Sequence, residues 1–140
     1  MANKLNPKMS VGTIGELFVQ LRLLIEGFES FPPLKDSGND LIVYLKNGFY
    51  SIQVKTKKIG KGWTSPKQGR IYDILALVNL GIDGSPEKPD LHKSKIWLIT
   101  KTGFEKLGKS ISKVTSDPDF LFKDGTRIET LIRELDPNPV

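Results

Sequence analysis

Three polar side chains of complementary chemistry stand beside two neighbouring apolar runs. Asp40 opens the first run, and Gln53 and Lys55 lie two residues apart near the end of the second. Between the runs stands Asn47-Gly48, a dipeptide that favours a two-residue type I′ turn because it accepts positive φ at both central positions. The sequence therefore predicts a β-hairpin that carries all three side chains.

The turn also predicts which residues face each other across the hairpin. With Asn47 and Gly48 in the turn, Asp40 lies opposite Lys55, and strand alternation puts Gln53 on the same face. A carboxylate, an amide oxygen and an ammonium then converge on one patch. Hard oxygen ligands suit a divalent cation, and a lysine stabilises developing negative charge, so the patch suits phosphodiester hydrolysis. The plainer interpretation is a strand-start acid followed by the solvated face of a half-buried strand.

A fourth candidate, Glu16, lies in a predicted amphipathic helix over residues 11–27. The apolar stripe of this helix is predicted to be Ile14, Leu17, Phe18, Leu21, Leu24, Ile25 and Phe28. Glu16 flanks that stripe in a row with Gln20 and Leu23, so a helix packed on the sheet would bring the carboxylate toward the polar patch. The alternative is a surface ion pair within the helix, for example with Arg22.

The other elements are predicted from periodicity and from chain breakers. They are a loose arm at 1–10, a short strand at 28–31, hairpin strands at 41–46 and 49–56, an exposed loop at 57–69, a second helix at 70–80, a loop at 81–94, a central strand at 95–100, a helical turn at 102–107 and a last helix at 126–135. Residues 109–123 give no clear pattern. The elements predict a single α/β domain over 1–140, with helices flanking a small mixed β-sheet.

Composition narrows the class of protein. At 140 residues the chain is long enough for one domain with a real core. The absence of cysteine excludes disulfides, thiolate zinc sites and cysteine catalysis, and His92 as the single histidine excludes multi-histidine metal sites. No apolar run approaches the roughly 20 residues of a membrane span, and no secretory signal is visible, so we expect no membrane partner and a cytoplasmic location.

Basic residues concentrate directly after the hairpin. The chain carries a net charge of +5, and the stretch from Lys55 to Arg70 holds six basic residues and no acid. A basic surface of this kind often binds a polyanion, although a lysine excess also serves solubility. The predicted DNA-contact residues are Lys57, Lys58, Lys61, Trp63, Lys67 and Arg70; Trp63 is as well suited to covering the core or a subunit contact.

These motifs resemble those of the PD-(D/E)xK nuclease superfamily, which has the restriction-endonuclease-like fold. The matching positions are Glu16, Asp40 and the run Gln53-Val54-Lys55. The chain is most similar to small single-domain members, namely the homing endonucleases encoded in group I introns and the archaeal Holliday-junction resolvases. It departs from the family pattern where Asn39 replaces the proline before the acid, and where Gln53 replaces the usual Glu or Asp, as it does in the homing-enzyme branch.

The resemblance implies a fold, a cofactor and a substrate. It implies an αβββαβ core and a Mg²⁺ ion, replaceable by Mn²⁺, held by Asp40, Gln53, the Val54 carbonyl and Glu16. Lys55 would orient or deprotonate the attacking water. The implied products carry 5′-phosphate and 3′-hydroxyl ends. The implied partner is double-stranded DNA, and a homo-dimer or homo-tetramer is expected because one site cuts one strand.

Four functions remain open from the sequence. The first is a site-specific double-strand DNA endonuclease, homing-like or restriction-like. The second is a Holliday-junction resolvase or other structure-selective nuclease, which would use the same residues. The third is a catalytically silent DNA-binding domain, which Gln53 favours because it removes one negative charge from the metal site. The fourth is an unrelated basic binding module.

Overall fold

The computed structural model describes residues 7–32, 40–46, 48–58, 60–64, 66 and 71–135, with side chains from residue 11 onward. It is a mixed α/β structure, which confirms the predicted class. The helices and strands are α1 (Pro7–Ile25), β1 (Ser30–Phe31), β2 (Leu41–Leu45), β3 (Gly48–Lys58), β4 (Ile74–Leu80), β5 (Ile82–Asp83), β6 (Lys88–Pro89), β7 (Lys95–Thr100), α2 (Lys101–Lys106), α3 (Ile111–Thr115) and α4 (Gly125–Leu135).

Five strands form one mixed sheet in the order β1-β2-β3-β4-β7. The β3–β4 pair is parallel, and the other neighbours are antiparallel. One face, here called the helix face, packs against α1 and α4 through side chains such as Ile52, Val54 and Ala76. The opposite face, here called the cleft face, packs Leu75, Leu77 and Trp97 against α2 and α3. The sheet is therefore covered on both sides, as predicted.

The second helix predicted at 70–80 is wrong, because this segment contains the central strand β4. Its residues Ile74 to Val78 are all buried, and they alternate between the two cores. A strand covered on both faces reads as a continuous apolar run, and periodicity alone does not separate such a strand from a buried helix. The described residues of the connection from β3 to β4 form no helix.

The first helix is confirmed but buries a different stripe. Gly15, Phe18, Val19 and Leu23 face the sheet, whereas four members of the predicted stripe are exposed, namely Leu17, Leu21, Leu24 and Ile25. The cause is the close approach of Gly15 to Thr56 of β3, where a side chain on Gly15 would collide with Thr56. This contact turns the row Glu16, Gln20 and Leu23 toward the sheet. Residues 7–10 are helical rather than part of a loose arm, and residues 1–6 lie outside the described residues.

The hairpin is confirmed, but its register differs from the prediction by two residues. Leu45 pairs with Gly48 and Leu41 pairs with Ile52, so the chain turns one residue earlier than expected. Lys46 has a positive φ of 50°, and Asn47 lies outside the described residues. A slip of two residues keeps every side chain on its original face, so the apolar alternation does not distinguish the two registers.

The remaining elements mostly agree with prediction. The strand at 95–100, the helical turn that becomes α2 and the last helix are confirmed, and the expected loop at 81–94 also holds the short strands β5 and β6. The outer edge of β7 is protected: Arg127, 7% exposed, donates from Nε and Nη2 to the Leu98 carbonyl at 3.0 and 2.7 Å. The Phe122 N–H donates to the Ile96 carbonyl at 2.8 Å. A covered edge does not template pairing with another chain.

Candidate active site

Asp40 is held at the start of the hairpin by two donors from β3. Its Oδ2 accepts a hydrogen bond from the Val54 backbone N–H at 2.7 Å and another from Gln53 Nε2 at 3.0 Å. The Asp40 N–H in turn donates to the Ile52 carbonyl at 3.0 Å. The carboxylate is therefore fixed beside Gln53, and the predicted opposition of Asp40 and Lys55 is wrong because of the shifted register.

Gln53 carries a buried acceptor with no partner. The side chain is 4% exposed, and its Oε1 has no hydrogen-bond partner among the described residues. The amide orientation follows from its neighbour, because only Nε2 can donate to the Asp40 carboxylate. A buried acceptor left unpaired costs about 1–3 kcal/mol, so its presence beside a carboxylate requires an explanation. This oxygen is available as a ligand for a cation.

Lys55 lies two residues beyond Gln53 on β3, so both side chains project from the cleft face. Its register partner on β4 is Leu77, and the side chain is half-buried. Two residues along a strand span about 7 Å, which a lysine stem can bridge toward Asp40 and Gln53. The structure thus brings Asp40, Gln53 and Val54 into contact and sets Lys55 next along the same strand.

Glu16 lies near β3 because the preceding residue, Gly15, packs against this strand. The contact of Gly15 with Thr56 leaves no room for a side chain between α1 and β3, so Glu16 starts from backbone that already touches this strand. Glu16 is half-buried. Because α1 covers the helix face, Glu16 would have to reach past β3 to meet groups on the cleft face.

Two residues stand directly before β4, and one of them, Asp73, is hydrogen-bonded to β3. Asp73 Oδ2 accepts from the Ser51 N–H at 2.9 Å and from Ser51 Oγ at 3.2 Å. The Asp73 N–H donates back to the Ser51 carbonyl at 3.1 Å. Tyr72 is buried beneath the Lys101 ammonium, which lies 5.3 Å from the ring centroid, and burial with the nearby Glu105 raises the pKa of the phenol. Of these two residues, Asp73 is the one that is bonded to β3.

The predicted DNA-contact residues separate into three groups. Lys57 and Lys58 belong to β3 rather than to a loop, and they project from opposite faces of the sheet. Lys61 is exposed in the following turn, and Trp63 is half-buried against the core of the cleft face. Lys67 and Arg70 lie outside the described residues.

Three polar residues on the cleft face were not predicted from the sequence: Asn79, Lys93 and Lys95. Asn79 pairs with Lys95 on one side and with Lys57 on the other, so Lys57, Asn79 and Lys95 form one row across the sheet. Lys93 lines the same cleft. The available signal was Asn79 itself, the one polar residue in the run Ile74–Leu80.

The oxygen donors fit a hard divalent cation. Asp40 offers a carboxylate and Gln53 an unpaired amide oxygen, both ligands that Mg²⁺ accepts while it keeps several waters. Among the described residues, no group of three or more His, Asp and Glu side chains converges as a metal cluster. The oxygen atoms that such a cation would find here are one carboxylate and one amide, with Glu16 as a further acid near β3.

No protein-family model matches the chain, and no curated protein matches it. Among solved structures, the chain is similar to the bacterial homing endonuclease I-Ssp6803I, with 16% sequence identity and a TM-score of 0.46. The match covers 68% of this chain and 70% of the other. No described helix is long and apolar enough to cross a membrane.

Proposed function

We propose that this protein is a metal-dependent endodeoxyribonuclease of the PD-(D/E)xK type. The observation that carries the proposal is the buried Oε1 of Gln53, which has no hydrogen-bond partner in the described part of the chain and lies beside the fixed carboxylate of Asp40. Asp40 and Gln53 would hold Mg²⁺ or Mn²⁺, with the Val54 carbonyl and Glu16 as further ligands. When bound, the cation supplies charge neutralisation on the phosphate and activation of water.

The chain's own residues then have separate tasks. The Val54 N–H and the Gln53 amide fix Asp40, so that its carboxylate does not have to reorganise during the reaction. Lys55 orients or deprotonates the attacking water and stabilises charge that develops on the phosphate. A water oxygen bonds to phosphorus and releases a proton to Lys55 or to solvent water. The bond from phosphorus to the 3′ oxygen breaks, and that oxygen takes up a proton from solvent water. The products carry 5′-phosphate and 3′-hydroxyl ends.

The basic residues suit binding of the DNA backbone. Lys57 and Lys61 continue from Lys55 along the end of β3 and the next turn, and Lys67 and Arg70 follow in sequence. Lysine contacts to phosphate give affinity that falls with salt and carry no sequence information themselves. One domain supplies one site, so cutting both strands requires a homo-dimer or homo-tetramer, which light scattering of the protein with and without DNA would detect.

The test is cleavage of a mixture of supercoiled plasmids in Mg²⁺ or Mn²⁺. We expect wild-type protein to cut, and Asp40→Asn and Lys55→Ala each to lose at least about 100-fold in rate, as when a transition-state electrostatic contact is removed. Asp119→Asn and Lys123→Ala are matched controls, because both side chains are exposed and lie outside the site. Cutting that survives in Asp40→Asn, or that continues in EDTA, would refute the proposal.

A further inference from the structure

Beyond Lys55, the cleft face of the sheet opens into a cleft of about 440 Å³. Its lining combines three lysines with two tryptophans and an amide: Lys57, Lys93, Lys95, Trp63, Trp97 and Asn79. Thr115 completes the lining, which contains no acidic residue. Cations beside aromatic rings are the combination that proteins use to hold single-stranded nucleic acid.

The cleft lies next to the candidate active site on the same face. Lys55, Leu77 and Trp97 form one row across β3, β4 and β7, and Lys57, Asn79 and Lys95 form the next. Consecutive rows on one face are about 7 Å apart along the strands. A DNA strand that passes Lys55 therefore reaches the cleft within one or two nucleotides.

Asn79 is a polar residue in an otherwise apolar interior strand. It is the one polar side chain of the central strand β4, and its Oδ1 is buried with no hydrogen-bond partner among the described residues. A leucine would fill this position without the penalty of an unpaired polar atom. An amide is useful there if a ligand with its own donors and acceptors enters the cleft, as the edge of a nucleobase does.

The charges of the cleft are available to an anion. Lys95 is exposed and makes no ion pair with any described residue, and Lys93 pairs only with the exposed Asp83, at 3.1 Å. The Lys57 ammonium lies 5.2 Å from the centroid of the Trp63 ring. Trp97 is 7% exposed, so the half-buried Trp63 provides the larger aromatic surface.

We propose that this cleft binds one unpaired nucleotide of the DNA substrate. Its base packs on Trp63 and is contacted by the Asn79 amide, and its phosphate is held by Lys95 and Lys93. The inference rests on the proposed function and deepens it, because it names DNA with a single-stranded segment beside the cut as the preferred substrate. The volume of the cleft lies in the range of small-ligand pockets, which is large enough for one nucleotide.

The test is fluorescence anisotropy of labelled DNA in EDTA, so that binding is measured without cleavage. The probes are a short oligothymidylate, a blunt duplex, and the same duplex with a single-stranded tail. We expect the tailed duplex to bind more tightly than the blunt one. Trp63→Ala should weaken oligothymidylate binding at least about fivefold, the lower end of stacking effects, and Asn79→Leu should also weaken it.

Two controls separate this site from general charge and from misfolding. Lys95→Gln should lower the slope of log affinity against log salt by about 0.7. Its control is Lys123→Gln, which should bind like wild type because Lys123 lies on the side of the sheet that contacts α1. Trp63→Phe keeps a ring that can stack, so it should retain most of the affinity lost in Trp63→Ala.

Three results would overturn the inference: equal binding of blunt and tailed duplexes, single-strand affinity unchanged in both Trp63→Ala and Asn79→Leu, or equal effects of Lys95→Gln and Lys123→Gln. Failure here leaves the nuclease proposal standing, because catalysis is tested separately, by the cleavage rate of Asp40→Asn. A protein that binds single strands through Trp63 and never cleaves would refute the nuclease proposal alone.

Discussion

Replacing Gln53 with glutamate should weaken the folded protein in the absence of metal and increase its response to metal. In the wild-type site, Gln53 Nε2 donates to Asp40 Oδ2 at 3.0 Å. This hydrogen bond is shielded from water, because Gln53 is only 4% exposed. Gln53→Glu removes this donor and places a second carboxylate against the first. The same change restores the acid that the PD-(D/E)xK pattern usually has at this position.

Gln53→Glu should lower the free energy of unfolding for two reasons. A hydrogen bond to a charged group contributes about 1.5–3 kcal/mol, and it is lost outright. Two unit charges about 3 Å apart repel by up to roughly 5 kcal/mol at an effective dielectric constant of 20. We take about 2 kcal/mol as the minimum loss in the free energy of unfolding. For a domain of this size, that loss lowers Tm by roughly 6–8 °C.

Added metal should stabilise Gln53→Glu more than it stabilises the wild type. A ligand that binds only the folded state at 100 times its Kd stabilises that state by about 2.7 kcal/mol, and a second anionic ligand tightens Kd. Tm is measured for wild type and Gln53→Glu in EDTA and over a Mg²⁺ series. Gln20→Glu is the matched control, since that amide donates at 3.1 Å to a neutral carbonyl, that of Ser30. We expect a larger Mg²⁺-induced rise in Tm for Gln53→Glu than for either other protein.

Two results would refute this reasoning. If Gln53→Glu is as stable as wild type in EDTA, the contact between Gln53 and Asp40 does not hold the site. If Mg²⁺ raises Tm no more in Gln53→Glu than in Gln20→Glu, the two carboxyl groups do not share a cation.

Three further predictions concern packing and pH. Gly15→Ala places a Cβ at 2.8 and 2.9 Å from Thr56 side-chain carbons, so urea unfolding should show a loss of about 1–3 kcal/mol that shrinks in a Thr56→Ala background. Equal losses in both backgrounds would contradict the contact. Asp124 Oδ1 accepts from the Thr126 N–H at 2.8 Å, which lowers the pKa of Asp124 from 3.8. The folded state therefore binds this proton less readily than the unfolded state, and stability present above pH 3.8 is lost as pH falls below it. Thermal melts of Asp124→Asn, which keeps the capping oxygen, should show a flatter acid limb. Burial raises the pKa of Tyr72 above 10.0, so the unfolded state releases this proton first and stability falls as pH rises past 10.0. Tyr72→Phe should flatten the alkaline limb, and an unchanged limb would exclude Tyr72 as its source.

The sequence was sufficient for the hairpin and for the strand at β7. Local signals carried these predictions, namely turn chemistry, alternation and a short apolar run. The sequence was not sufficient for β4, where Ile74 to Val78 are buried on both faces. Residues covered on all sides have no polar face to reveal a period, so length and spacing alone suggested a helix.

The register shows a second limit of sequence reasoning. Pairing Leu41 with Ile52 or with Val54 puts the same side chains on the helix face, because the two alternatives differ by an even number of residues. Hydrogen bonds then decide between them, and the bond from the Val54 N–H to Asp40 is long-range in sequence. For the same reason, the row of Lys57, Asn79 and Lys95 was not predictable, since it joins three strands that are separate in the chain.

The most direct test of the central claim, that Asp40 and Gln53 hold a catalytic divalent cation, is a calorimetric titration of Mn²⁺ and Mg²⁺. The titration is made into wild type, Asp40→Asn and the control Asp119→Asn, without DNA. The account predicts saturable binding to wild type and to Asp119→Asn, and a large loss of affinity in Asp40→Asn. No binding to wild type, or equal binding to Asp40→Asn, would contradict the claim and favour a DNA-binding domain without catalysis.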